Sequence, residues 1–241
     1  MNCTELANTA RLHQEVIDFY EWVKPQDFEQ EVRMDVISRL QKAFSKVELG
    51  CQVKPFGSFA ASLYLPIGDM DLVLMTASSS RSRFPTNPKH LLFFVRSLLE
   101  REGLAVDGSL QAIAKAKVPI VKFVDAVTGL KVDLSFNNET GIVANNTFHA
   151  WKGQFPAMPI LVSVMKQYLM VRGLNDVAFG GLGGFSIICL VTSLLQQQVP
   201  GDQVQNLGDL LLKFFYFYGY VFNKAEIAVR LEPPGFVRKV S

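Results

Sequence analysis

Side chains recur with helical period at the start of the chain. Leu6, Ala10, His13, Val16, Ile17, Tyr20 and Val23 share one face of residues 5–23, and Pro25 ends the run. A second stripe, Phe28, Val32, Val36, Ile37, Leu40, Phe44 and Val47, predicts another helix with Glu29, Glu31, Arg33, Arg39 and Lys42 mostly outward. Both stripes read as core-facing surfaces. The pattern then shortens to strands at 51–56 and 69–76, joined by a Gly-Ser segment. An amphipathic helix follows at 91–102, then strands at 105–114 and 118–125, and Thr128-Gly129 turns the chain into a strand at 131–136. From residue 155 the pattern is almost purely helical. Helices are predicted at 159–172, at 183–198 after the break Gly180-Gly181-Leu182-Gly183-Gly184, and at 207–222 with Asn206 as cap.

Helices and strands that do not alternate strictly predict an α+β fold: a mixed sheet with helices on one side, followed by a helical domain. A nucleotide site is expected in the cleft between the two.

Composition narrows the classes. With 241 residues, 49% hydrophobic and 19% charged, the chain is globular and long enough for one large domain or two small ones. Cys3, Cys51 and Cys189 have neither paired nor zinc-ligand spacing and fit a reducing compartment. His13, His90 and His149 are scattered and read as structural or surface residues. The N-terminus is polar, and the most apolar run, 185–195, falls short of the about 20 residues a bilayer requires, so no membrane span is expected. A net charge of +2 lacks the dense Lys/Arg clusters of a protein that grips a long duplex. RNA affinity is expected to be modest or supplied by partners. Residues 77–88 read as an exposed loop; its Arg81 and Arg83 are solvated, with RNA contact as the alternative.

The chemistry begins at Asp69-Met70-Asp71. Side chains alternate across a strand, so both acids face one side while Met70 and Leu72 face the core. Two carboxylates at ~4 Å and an effective dielectric near 20 repel by about 4 kcal/mol, which a divalent cation relieves. An isolated Asp-x-Asp would read as a solvated strand edge; the upstream Gly57-Ser58 changes that. Glycine admits close backbone approach, and a serine opening a short helix offers a hydroxyl and free N–H groups to phosphate.

Gly-Ser followed by apolar-Asp-apolar-Asp-apolar resembles the signature of the DNA polymerase beta-like nucleotidyltransferase superfamily. That signature calls for a third acid on a neighbouring strand, and Asp133 in Val132-Asp133-Leu134-Ser135-Phe136 supplies it. Together with Val118-Pro119-Ile120-Val121-Lys122-Phe123, Gly180 to Ser186, and Asn206-Leu207-Gly208 with Phe214-Phe215 and Tyr218-Gly219, the pattern resembles the Trf-type noncanonical poly(A) polymerases. These are catalytic subunits of the nuclear TRAMP polyadenylation complex, and the likeness runs from about residue 10 to 230.

The resemblance implies a nucleotidyltransferase palm at 46–150 and a helical central domain at 151–241, with the N-terminal helices at 1–45 packing on the latter. It implies addition of AMP from ATP to an RNA 3′ end with two Mg²⁺ or Mn²⁺ ions held by Asp69, Asp71 and Asp133. Gly57 and Ser58 match triphosphate contacts. Lys166 matches a lysine that reaches the phosphates, the alternative being a solvent-facing lysine. Phe185 stands where many relatives have a base-stacking tyrosine, the alternative being a core residue. Gly141, Asn146, Thr147, Gly184 and Ser186 fall near ribose and base contacts. Residues 231–241 show no counterpart of the family's nucleotide-recognition segment, so the C-terminal part reads as incomplete and base choice rests on the family.

No RNP motif, KH loop or zinc knuckle is present, so a separate RNA-binding subunit is expected. The resemblance implies a zinc-knuckle RNA-binding subunit and an RNA helicase as partners, in the nucleus or nucleolus, marking RNA for the exosome. An RNA terminal uridylyltransferase and an inactive RNA- or protein-binding scaffold are the alternative readings.

Overall fold

The computed structural model describes residues 3–76, 83–116, 118–197 and 206–239, with side chains from Asn8 onward. Arg81 lies outside the described residues; Arg83 is exposed, its amide donating to Glu48. The chain divides into two compact units, residues 25–146 and residues 1–24 with 147–241.

The first unit is built on a five-stranded sheet of order β1-β2-β5-β4-β3, comprising β1 (Gln52–Phe56), β2 (Met70–Met75), β3 (Gln111–Ile113), β4 (Ile120–Val124) and β5 (Lys131–Phe136). Only β2 and β5 run parallel; the other neighbours are antiparallel, so the sheet is mixed. Two helices, α2 (Asp27–Val47) and α4 (Pro88–Arg101), contribute Val36, Leu40, Phe44, Leu92, Val95 and Leu99 to a core shared with Met70, Leu72, Leu74 and Leu134. Period-2 alternation in β2 places those apolar side chains on the covered face, each burial worth about 1.5–3 kcal/mol, and leaves Asp71 on the other. Asn87 caps α4 by accepting from the Lys89 and His90 amides, and Pro88 opens it.

Several expectations change here. The segment 1–45 is divided: α1 (Cys3–Val23) belongs to the helical unit, whereas α2 belongs to the sheet unit. Arg33 and Arg39 do not face outward. Arg33 is 1% exposed, and Arg39 forks onto the buried Asp125 at 2.8 and 2.9 Å. The strand expected at 105–114 shrinks to β3 and a lone bridge from Ala105 to Asp125, because Gly108, at φ +76°, turns the chain between them. A helix not anticipated from the pattern, α5 (Thr140–Gln154), follows β5.

In the second unit, α1 packs on α6 (Ala157–Val171) and α8 (Leu207–Tyr216), and α7 (Gly184–Gln196) packs on α6. The Asn206 side chain accepts from the Asp209 amide, the expected cap. Gly208 lets α8 meet α1: a Cβ there would stand 2.7 Å from the Thr9 carbonyl and 2.9 Å from the His13 nitrogen. Helix α8 passes directly into a π turn at Phe217–Val221, closed by Phe222 N–H onto the Phe217 carbonyl, so the helical stretch reaches its expected end. The remainder is not helical. A hairpin of β6 (Ile227–Leu231) and β7 (Pro234–Arg238) packs on α7. Among the described residues no helix is long and apolar enough to cross a membrane.

Candidate active site

Register fixes the centre of the site. In the parallel β2–β5 pair, Asp71 stands opposite Asp133, and in the antiparallel β4–β5 pair Lys122 stands opposite Asp133 on its other side. Two residues before Asp71, Asp69 precedes the strand, and its carboxyl is near enough to feel the Asp133 charge. Lys122 Nζ pairs with Asp133 Oδ2 at 2.5 Å.

The three acids share one electrostatic environment. Burial pushes the Asp69 carboxyl above its usual range, and the Asp133 charge adds to this, while Lys131, Lys122 and Arg33 pull the other way. Burial alone would lower the Lys122 ammonium. The Asp133 hydrogen bond, with the charges of Asp133, Asp69 and Asp71, overcomes that and raises it. All three carboxylates therefore act on one lysine, and one face of the sheet concentrates their charge.

β1 delivers the Gly-Ser turn to that face. Its last residue, Phe56, pairs with Asp71, and the single-turn helix α3 (Gly57–Ala60) begins at the next position. Gly57 has φ +66°, and a Cβ there would lie 2.4 Å from Asp71 Oδ2. Both facts demand glycine, and together they keep the backbone against the carboxylate. Ser58 is half-buried in the same turn. Gly141, at the start of α5, has a close-approach role: its Cβ would collide with the Phe56 ring at 2.4 Å. Asn146 is exposed and Thr147 half-buried on α5, while their neighbour Asn145, 6% exposed, has a buried Oδ1 with no hydrogen-bond partner among the described residues.

Lys166, Gly184, Phe185 and Ser186 belong to the helical unit, where they come together. A Cβ on Gly184 would stand 3.3 Å from Lys166 Cε and 3.5 Å from its Nζ, so the lysine lies along the first turn of α7. Phe185 is 61% exposed rather than part of the core, its ring 5.7 Å from that of Phe148. Ser186 is half-buried beside it.

Sequence reading missed Lys122 and Arg33. The signal for Lys122 was present, because in Val121-Lys122-Phe123 the lysine must face away from two buried neighbours. Nothing in the helical stripe marked Arg33 as buried.

Among the described residues no three His, Cys, Asp or Glu side chains form a ready-made cage, and Lys122 already lies on Asp133. The donor set still fits a hard divalent cation. It is all carboxylate, and Mg²⁺ takes oxygen ligands while keeping positions for water and substrate phosphate.

Residues 12–153 match the family model of the central palm domain of mitochondrial-like poly(A) RNA polymerases, and residues 206–241 match that of Cid1 family poly A polymerases. Poly(A) RNA polymerase protein 1 of Eremothecium gossypii is 37% identical over 220 residues, covering 89% of this chain and 34% of the relative. The inactive noncanonical poly(A) RNA polymerase protein Trf4-2 of Drosophila melanogaster is 31% identical over 218 residues, covering 88% of this chain and 52% of that protein. The chain thus spans about a third to a half of these relatives' length. The solved polymerase core of TRAMP, an RNA surveillance complex, superposes with a TM-score of 0.82 at 33% identity, covering 95% of this chain and 71% of that one.

Proposed function

We propose, on the premise that this chain belongs to the noncanonical poly(A) RNA polymerase family, that it is a template-independent RNA adenylyltransferase transferring AMP from ATP to an RNA 3′-hydroxyl. The observation that supports this reading most is the register setting Asp71 opposite Asp133, with Asp69 and both of these acting on Lys122.

Asp69, Asp71 and Asp133 would hold two Mg²⁺ or Mn²⁺ ions. Such ions, when bound, make the primer hydroxyl easier to deprotonate and neutralise the leaving pyrophosphate. The residues' own contributions follow from their positions. Gly57 lets backbone approach Asp71 without a side chain between them. Lys166 offers an ammonium to phosphate, and the exposed Phe185 ring offers a base about 1–3 kcal/mol of stacking that does not depend on sequence. Lys122 pairs with Asp133 through Oδ2, and that carboxylate has a second oxygen that a cation would use.

The finer reading is a nuclear or nucleolar enzyme that marks RNA for exosome processing, working with a zinc-knuckle RNA-binding subunit and an RNA helicase. It rests on the family resemblance and on likeness to the TRAMP polymerase core.

Primer extension with each nucleoside triphosphate, with and without EDTA, tests the reading. Extension is expected with ATP, blocked by EDTA and by Asp71→Ala in a folded protein. Preference for UTP would make it a uridylyltransferase. No extension with any nucleotide would place it with inactive relatives such as Trf4-2, and unchanged extension by Asp71→Ala would reject the metal assignment.

A further inference from the structure

Arg33 sits on α2 at 1% exposure, and its guanidinium forms no ion pair among the described residues. Instead Nη1 donates to the Gly68 carbonyl at 3.1 Å and Nη2 to the Pro66 carbonyl at 3.0 Å. Its Cζ lies 4.3 Å from the Tyr64 ring centroid and 5.7 Å from that of Phe59. Burying a cation without a carboxylate within ion-pair distance is costly, and here two backbone carbonyls offset that cost. The fork must gain something an apolar residue cannot supply.

What it gains is control of the loop that ends at Asp69. Residues 64–68 lead directly into that acid, and Gly68 N–H bonds the Leu65 carbonyl at 2.7 Å to close the turn. A Cβ on Gly68 would lie 2.9 Å from that same carbonyl, so the turn has little room to adjust. Arg33 therefore holds the residue immediately before Asp69 and another two positions earlier. Asp69 itself precedes β2 and lacks the ladder bonds that fix Asp71 and Asp133.

We propose that Arg33 is a positioning residue. Its two-carbonyl fork anchors the Pro66–Gly68 turn so that the Asp69 carboxylate is held beside Asp71 and Asp133, ready for a divalent cation. The proposal rests on the metal reading of those three acids, and its test separates the two. Mn²⁺ is titrated into the protein without RNA or nucleotide, free Mn²⁺ being followed by its EPR signal, for wild type, Asp71→Ala, Arg33→Met, Arg33→Lys and Tyr64→Leu. Supporting residues behind metal ligands typically matter 10–100-fold, so Arg33→Met is expected to weaken Mn²⁺ binding by about tenfold. Arg33→Lys keeps a charge but not the fork and should remain weakened. In primer extension kcat should fall while the KM for RNA stays at the wild-type value.

Wild-type Mn²⁺ binding in folded Arg33→Met, or full recovery in Arg33→Lys, overturns the proposal. Should Arg33→Met not fold, Tyr64→Leu removes only the ring beside the guanidinium and should weaken binding about two- to threefold, since the cation–π contact supports the fork. Unchanged binding in Tyr64→Leu would then overturn it. A wild-type protein that binds no Mn²⁺, or whose binding survives Asp71→Ala, fails the metal reading itself.

Discussion

Asp69 is exposed, yet its surroundings disfavour its charge at neutral pH. Its carboxyl sits above the ordinary 3.8 because burial disfavours the charge and Asp133 repels it. The folded state therefore binds the Asp69 proton more tightly than the unfolded chain does. Linkage then makes the stability contribution fully present below 3.8 and lost as pH rises through the raised value. Asparagine never ionises, so Asp69→Asn should melt at a higher temperature than wild type at pH 7 in EDTA. The gap should close as the buffer is taken below 3.8. Thermal melts across that pH range check this, and a wild type more stable at neutral pH would contradict it. On the proposed reading, a bound cation would supply the compensation that the charged Asp69 lacks.

At the level of elements, the placement of α2 turns on one fork. Asp125, 1% exposed, receives both Arg39 terminal nitrogens and also accepts from the Thr128 amide and hydroxyl at 2.8 Å each. Burial alone would raise this carboxyl, but Arg39 and Thr128 pull harder and hold it below its usual range. Breaking a buried pair from one side costs about 3–5 kcal/mol, and with Arg39 20% exposed the lower end applies. Arg39→Met should thus lose about 3 kcal/mol in urea melts at pH 7. The difference from wild type should shrink in acid, where the stabilisation from Asp125 is lost as pH falls from 3.8 through its lowered value. Which elements were legible follows the same physics. Residues 131–136 alternate cleanly and read as the strand they form, and the stripes of α1 and α2 gave their bounds to within a few residues. Helix α5 was passed over because Gly141, Asn145, Asn146, Thr147 and Gly153 are weak helix formers. The β6–β7 hairpin was missed although Pro233-Pro234-Gly235 is a turn signal, because its strands are only half-buried and show little alternation.

For the whole molecule, the sequence singles out three acids but does not show how their strands pair. Asp71 and Asp133 stand opposite each other because β2 and β5 run parallel, a register that no local pattern announces; the resemblance called only for a third acid on a neighbouring strand. The division of the chain was equally hidden, since α1 and α2 carry similar stripes yet join different units. Their sorting depends on shape. Helix α1 meets α8 at Gly208, and His13 Nδ1 accepts the Leu207 amide at 2.9 Å, satisfying one of the donors that open α8. A methyl group at Gly208 would press on the Thr9 carbonyl and His13 nitrogen, and backbone atoms yield less than side chains. Overpacking of this kind costs typically 1–3 kcal/mol, so Gly208→Ala should destabilise the helical unit by about 2 kcal/mol. Because each unit has its own buried residues, Leu72 and Leu134 in one and Met158, Leu161, Val191 and Leu210 in the other, hydrogen exchange should speed up in α1 and α8 while the amides of β2 and β5 keep their protection. Equal loss of protection in both sets would mean that the units open as one cooperative body, and the sorting of α1 would then matter to the three acids as much as to the helices it touches.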